Sequence, residues 1–162
     1  CGMGSKDKKK NINKNIKKIC KKISCNKNKL VLLNQIHSNK VLFINKIPKK
    51  KPIGDALITS KKKIALGILT ADCAPIFILD PKLNIVAAIH SGWKGAYKKI
   101  IYKTIDLLKK KGCNVHDLIV VVGPCISKYK YEVKNDFLKK FTNQNKKNIR
   151  FFKFRKKKYF LV

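Results

Sequence analysis

The chain has 162 residues, 44% of them apolar, which suffices for the core of one ordinary domain. Its formal net charge of +32 would ordinarily point to nucleic acid, yet arginine occurs only at Arg150 and Arg155, and lysine, asparagine and isoleucine are enriched together. That joint enrichment is the mark of a biased genome rather than of a surface selected to clamp phosphate, and nucleic acid is not expected as the principal partner.

Along residues 8–23, Ile12, Ile16, Ile19 and Ile23 recur at spacings of three and four between lysines and asparagines, which predicts an amphipathic helix with a solvated lysine face. The runs "LVLLNQI" and "KVLFINKI" predict paired strands, with Ser38 and Asn39 turning between them. "DALITS", "IALGIL", "APIFILD" and "NIVAAIH" are four more apolar runs whose continuity suits strands buried on both faces. A helical period runs from Lys94 to Lys111, and Gly112 supplies its stop. "DLIVVVGP" predicts another buried strand, "YEVKNDFLKKF" a short amphipathic helix, and "IRFFKF" with "YFLV" a hairpin. With no internal repeat, this order predicts an α/β (α+β) fold: a single layered domain over residues 1–162, its mixed β-sheet covered by helices.

Six cysteines, at positions 1, 20, 25, 73, 113 and 125, lack the dense framework of a small secreted domain and suit a reducing, cytoplasmic setting. No signal peptide is visible, and the longest mostly apolar segment, 64–79, is interrupted by Asp72 and Pro75, so no membrane partner is expected. The chain starts without methionine and ends on the apolar "YFLV", which reads as a fragment; oligomeric state is left open.

His37, Cys73 and His90 each stand just past a strand-like run, and ends of strands are where distant side chains converge on one rim of a sheet. Three readings are open for them. Two imidazoles and a thiolate make a three-ligand zinc set with the fourth position left for water, which is the arrangement of a catalytic site. Alternatively Cys73 is a buried small apolar residue and the histidines are satisfied rim groups. In the third reading His90 deprotonates Cys73 for attack on a carbonyl. Asp72 either transfers protons or caps its turn. Asp55 reads first as a turn residue, with support of a metal ligand as the lesser alternative. In "HSGWKG" the glycines permit close backbone approach and Lys94 meets an anion, unless the segment is only a strand-to-helix turn with Trp93 in the core. His116 and the remaining cysteines read as structural or exposed.

Taken in order and spacing, "QIHSNKV", "DALIT", "LTADCAPI", "IHSGWKG", "GPCI" and "YEV" resemble the laccase-domain family, whose members are also called multicopper polyphenol oxidase-like, YfiH-like or purine nucleoside phosphorylase proteins. The resemblance covers essentially the whole chain. It implies a layered α/β fold and a zinc ion on His37, Cys73 and His90. It also implies phosphorolysis of adenosine, inosine and methylthioadenosine, with deamination of adenosine, so a purine nucleoside and phosphate are the expected partners. Bacterial relatives are linked to peptidoglycan editing by amide hydrolysis, which makes a Cys-His hydrolase the alternative. Copper and polyphenol oxidation rank lower, since multicopper centres need more histidines than the three present. Asp72, Cys73 and His90 are the catalytic candidates and Lys94 the substrate contact. Lys94 stands where the family's GWRG motif has arginine, and Ser38 where a glycine is usual. Family members continue past a segment like "YFLV" into a further part near the site, so if the coding sequence ends at Val162 an open sheet edge and an incomplete pocket follow.

Overall fold

Short β-branched runs separated by polar connections have one economical solution, a sheet whose connections return on its faces. The computed structural model describes residues 2, 5–155 and 157–161, and the chain divides into two compact units, 1–124 and 125–162. In the first, strands β1 (Leu30–Leu32) and β4 (Ala65–Gly67) form a parallel pair. A five-stranded mixed sheet holds β2 (Val41–Phe43), β3 (Ala56–Thr59), β6 (Ile85–Ser91), β5 (Ala74–Asp80) and β7 (Ile119–Val122), in that spatial order. Helix α1 (Lys9–Lys22) precedes them, and α2 (Trp93–Tyr97) and α3 (Ile100–Lys110) lie between β6 and β7.

The two sheet faces are covered differently. Ala56, Ile58, Ile76, Ile78, Ala87 and Ile89 pack with Ile100 and Leu108 of α3 into the main core. On the opposite face Leu57 packs with Val31, Leu33 and Ile44. That second cover stops short of the far strands, leaving Phe77, Leu79, Ile119 and Val121 exposed, and on the α3 face Val120 and Val122 of edge strand β7 are exposed as well. The expectation of strands buried on both faces therefore holds for β3 and β6 but fails for β5 and β7. A continuous apolar run reports hydrophobicity, not what lies opposite each face.

Three further differences have physical causes. Residues 34–39 are no hairpin turn: β1 pairs with β4 and β2 with β3, so the two runs join different sheets. The expected helix from Lys94 breaks at Lys99, which adopts a left-handed φ of 61°, into α2 and α3, while Gly112 closes α3 with φ of 91° as expected. In α1 the buried stripe is Ile12, Ile16 and Cys20, and Ile19 and Ile23 are exposed, because a spacing of four keeps to one face where the alternating three drifts off it.

In the second unit, β8 (Glu132–Val133) and β9 (Phe152–Arg155) flank β10 (Lys158–Leu161) in an antiparallel sheet beside α4 (Asn135–Gln144). The predicted hairpin is β9 with β10; its last residue, Val162, lies outside the described residues. Among the described residues no helix is long and apolar enough to cross a membrane.

Candidate functional site

After β1 the chain runs from residue 33 to 40 as a loop folded around one carboxylate. Asp55, fully buried just before β3, accepts from the backbone N–H groups of Ile36 (3.3 Å), His37 (3.0 Å) and Ser38 (2.6 Å) and from the Ser38 hydroxyl (2.6 Å). Successive N–H groups converge on one acceptor only where the backbone curls, and His37 supplies the curl with a left-handed φ of 55°. Burial pushes the Asp55 carboxyl up, but hydrogen bonds from the Ser38 hydroxyl, His90 and the Ser38 and His37 N–H groups prevail and hold it below its ordinary value.

The same carboxylate fixes His90. This histidine is buried near the end of β6, where its N–H donates to the Asp55 carbonyl (2.7 Å) and its Nδ1 lies 2.8 Å from Asp55 Oδ1. An ionised carboxylate only accepts, so Nδ1 carries the proton of this hydrogen bond, and in the neutral ring the lone pair is then on Nε2. The His37 ring meets the His90 ring edge-on, with centroids 4.8 Å apart and planes at 76°.

Cys73 closes the group from the turn between β4 and β5. Its Sγ lies 3.9 Å from His37 Nε2, and one ligand atom from each of His37, Cys73 and His90 lies within 4.8 Å of the other two. A tetrahedral zinc with Zn–N of about 2.1 Å and Zn–S of about 2.3 Å would set neighbouring N and S atoms about 3.6 Å apart, so Cys73 and His37 need to close by about 0.3 Å while the widest separation, 4.8 Å, must close by about 1 Å through side-chain rotation. Two features hold the cysteine there. Gln35 spans to the turn like one rung of a ladder, its Nε2 donating to the Leu69 carbonyl (2.8 Å) and its Oε1 accepting from the Leu69 N–H (2.9 Å). Gly92 passes so close that a Cβ there would lie 2.7 Å from Cys73 Sγ and 3.2 Å from the His37 ring. Burial, with the charges of Asp72 and Asp55, pushes the Cys73 thiol above its ordinary value. A bound cation reverses that sign and favours thiolate.

Residues 1–161 match the profile of the family described as multi-copper polyphenol oxidoreductase laccase. The chain belongs to that family. Among relatives of this laccase-family chain, a purine nucleoside phosphorylase of Rickettsia conorii is 33% identical over 123 residues, 76% of this chain and 50% of its own length. A purine nucleoside phosphorylase of Borreliella burgdorferi is 38% identical over 86 residues, 53% of this chain and 38% of its own. The chain thus spans about half the length, or less, of these curated relatives. The crystal structure of Bacillus licheniformis YfiH matches 99% of this chain and 64% of its own with a TM-score of 0.88 at 23% identity. Neisseria meningitidis protein NMB0706 matches with a TM-score of 0.87 at 26% identity, again over 99% of this chain and 64% of its own. The layered α/β (α+β) architecture is that of the YfiH structures.

Within this laccase-family fold, three of the five residues named as catalytic, substrate-binding or metal candidates, His37, Cys73 and His90, come together. Asp72 is exposed beside Cys73, near enough for its charge to act on the thiol. Lys94 is exposed on α2, its ammonium 5.6 Å from the centroid of the neighbouring Trp93 ring. Asp55, expected first as a turn residue, instead holds two of the three clustered residues. Gln35 received no individual role from the sequence, and Ser38 and Asn39 were read only as a turn, whereas Ser38 donates to Asp55 and Asn39 Nδ2 donates to the Lys98 carbonyl at 2.7 Å. The signal for Asp55 was there: one of only eight acidic residues in a lysine-rich chain directly precedes the apolar residues Ala56, Leu57 and Ile58, where a carboxylate survives only with several donors.

Proposed function

We propose that the chain is a zinc-dependent purine nucleoside enzyme that uses phosphate to cleave adenosine, inosine and methylthioadenosine and also deaminates adenosine. The observation that carries this reading is the convergence of His37, Cys73 and His90, from three distant segments, within 4.8 Å. Relatives bearing the name purine nucleoside phosphorylase supply the reaction class.

The residues fit a metal by their own chemistry. Two imidazoles and one thiol are borderline-soft donors suited to zinc, the His90 tautomer is fixed by a carboxylate behind it, and the glycine backbone at Gly92 leaves the space a side chain would fill. When bound, zinc supplies Lewis-acid chemistry at an open coordination position, polarising a substrate oxygen or acidifying water. The protein does the rest. Asp55 keeps the proton on Nδ1 of His90, Gln35 holds the turn that carries Cys73, and Asp72, exposed beside the cluster, takes the proton-transfer role. Lys94 contributes charge toward phosphate without arginine's two-pronged grip. Copper oxidase chemistry fits less well, because the chain has three histidines in all.

One observation favours a second reading. The Asp55–His90 hydrogen bond is also how hydrolases orient a base, and with Cys73 as nucleophile it would serve amide hydrolysis on a cell-wall precursor. Against it, burial and the charges of Asp72 and Asp55 push the Cys73 thiol up rather than down.

Incubation of the protein with adenosine and phosphate, with product separation and Cys73→Ala in parallel, tests the function. Adenine, inosine or hypoxanthine from the wild type alone supports the purine reading and names the bond broken; a fully active Cys73→Ala ends it. Iodoacetamide separates the roles of the thiol: a zinc-bound Cys73 reacts mainly after chelation, a free nucleophile at once.

A further inference from the structure

Asp55 hydrogen-bonds to both histidines of the cluster. Its Oδ1 accepts from His37 N–H (3.0 Å) and His90 Nδ1–H (2.8 Å), while its Oδ2 accepts from the N–H groups of Ile36 (3.3 Å) and Ser38 (2.6 Å) and from the Ser38 hydroxyl (2.6 Å). Five donors for one carboxylate exceed what a turn needs. By contrast Asp80, also buried, takes only two backbone N–H groups, of Lys82 and Leu83 at 2.9 Å each, in the β5–β6 turn, together with the Cys113 thiol.

We propose that Asp55 is the positioning residue of the metal centre: it holds the His37 loop and His90 in ligand geometry before any metal arrives, and it keeps His90 as the Nδ1–H tautomer whose Nε2 can bind metal. The proposal rests on the metal-centre reading above.

The substitution Asp55→Asn exposes the role because an amide cannot serve all five donors. On the Oδ2 side stand two backbone N–H groups, which never accept. On the Oδ1 side stand one backbone N–H and an imidazole, which accepts once its proton moves from Nδ1 to Nε2. The less costly orientation therefore points the amide NH2 at His90, and the proton arrives on the nitrogen that faces the cluster. The fold is kept and the ligand is disarmed, as in a triad whose aspartate becomes asparagine.

The test uses the full chain, labelled with 15N and freed of metal. Long-range imidazole spectra are expected to show His90 as the Nδ1–H tautomer in the wild type and the Nε2–H tautomer in Asp55→Asn. Zinc titrated against a chromophoric chelator should bind Asp55→Asn about 10- to 100-fold more weakly than wild type, and Asp80→Asn within twofold of it. Unchanged zinc affinity in a folded Asp55→Asn overturns the proposal. Should Asp55→Asn fail to fold, the wild type still decides, since an Nε2–H tautomer in the metal-free protein overturns it and an Nδ1–H tautomer supports it. Wild-type protein that takes up no zinc overturns instead the metal-centre reading on which the proposal rests.

Discussion

Replacing Gly92 by alanine adds one methyl group against the candidate centre, and its consequence can be worked from contacts. The backbone there has φ of −80° and ψ of 172°, which any residue adopts, so alanine is resisted by space alone. Its Cβ would lie 2.7 Å from Cys73 Sγ and 3.2 Å from His37 Cδ2. Favourable contact begins near 3.5 Å, so the sulfur must retreat by about 1 Å. Overpacking of this kind costs about 1–3 kcal/mol, offset by about 0.4–1 kcal/mol from a stiffer unfolded chain, for a net loss of about 0–2.5 kcal/mol. The protein stays folded, whereas a metal site tolerates only about 0.2 Å of ligand error. Zinc affinity should fall more than about tenfold, in line with the loss seen when metal ligands are misaligned. Gly95, three residues on, is the control: a Cβ there meets nothing closer than 3.4 Å and lies in helix α2, so Gly95→Ala should raise stability by up to about 1 kcal/mol and leave zinc binding alone. Chelator competition for zinc and thermal melts of both variants measure this. A Gly92→Ala protein that melts like wild type and binds zinc within twofold of it refutes the reasoning.

Gln35→Leu strips the Leu69 N–H and carbonyl of their partners and should cost about 1–3 kcal/mol in denaturant unfolding, with faster iodoacetamide labelling of Cys73 in the metal-free protein. Burial, aided by Asp80, pushes the Cys113 thiol up to about 11 from its ordinary 9.0, so its contribution to stability is complete below pH 9.0 and lost as pH rises through about 11. Urea melts across that range should show the decline, and Cys113→Ala should flatten it. At the acid end the sign reverses. Asp80, held low chiefly by the Leu83 N–H, stabilises above its ordinary 3.8 and ceases to as pH falls below that, an arm that Asp80→Asn removes. Val121→Lys, on exposed edge strand β7 opposite exposed Phe77, should raise the concentration at which light scattering detects aggregation, with stability changed by under about 0.5 kcal/mol.

What could be read in advance was decided by chemistry that a residue type carries by itself. His37, Cys73 and His90 are scarce soft donors at the ends of apolar runs, and a strand end has few places to go except a shared rim. What could not be read was decided by partners. Nothing in "IVVV" says that all four residues of β7 are exposed, and nothing in "LVLLNQIHSNKVLF" says that its two strands join different sheets. The break at Lys99 is equally silent, because lysine has no particular taste for the left-handed conformation it adopts there.

Asp55 lies between these cases and explains why the loop has the shape it has. An apolar run with an acid at its head permits two outcomes, a solvated turn or a buried acceptor, and composition tilts the choice. With eight acidic residues against 40 basic ones, any carboxylate in this chain finds cations in plentiful supply at the surface. Asp55 is buried and takes none of them. It is surrounded instead by backbone N–H groups, a hydroxyl and an imidazole, donors that a surface lysine would have made unnecessary. Backbone N–H groups and a hydroxyl carry no formal charge to cancel the carboxylate's, and a negative charge behind the ligands is the arrangement a cation-binding centre requires.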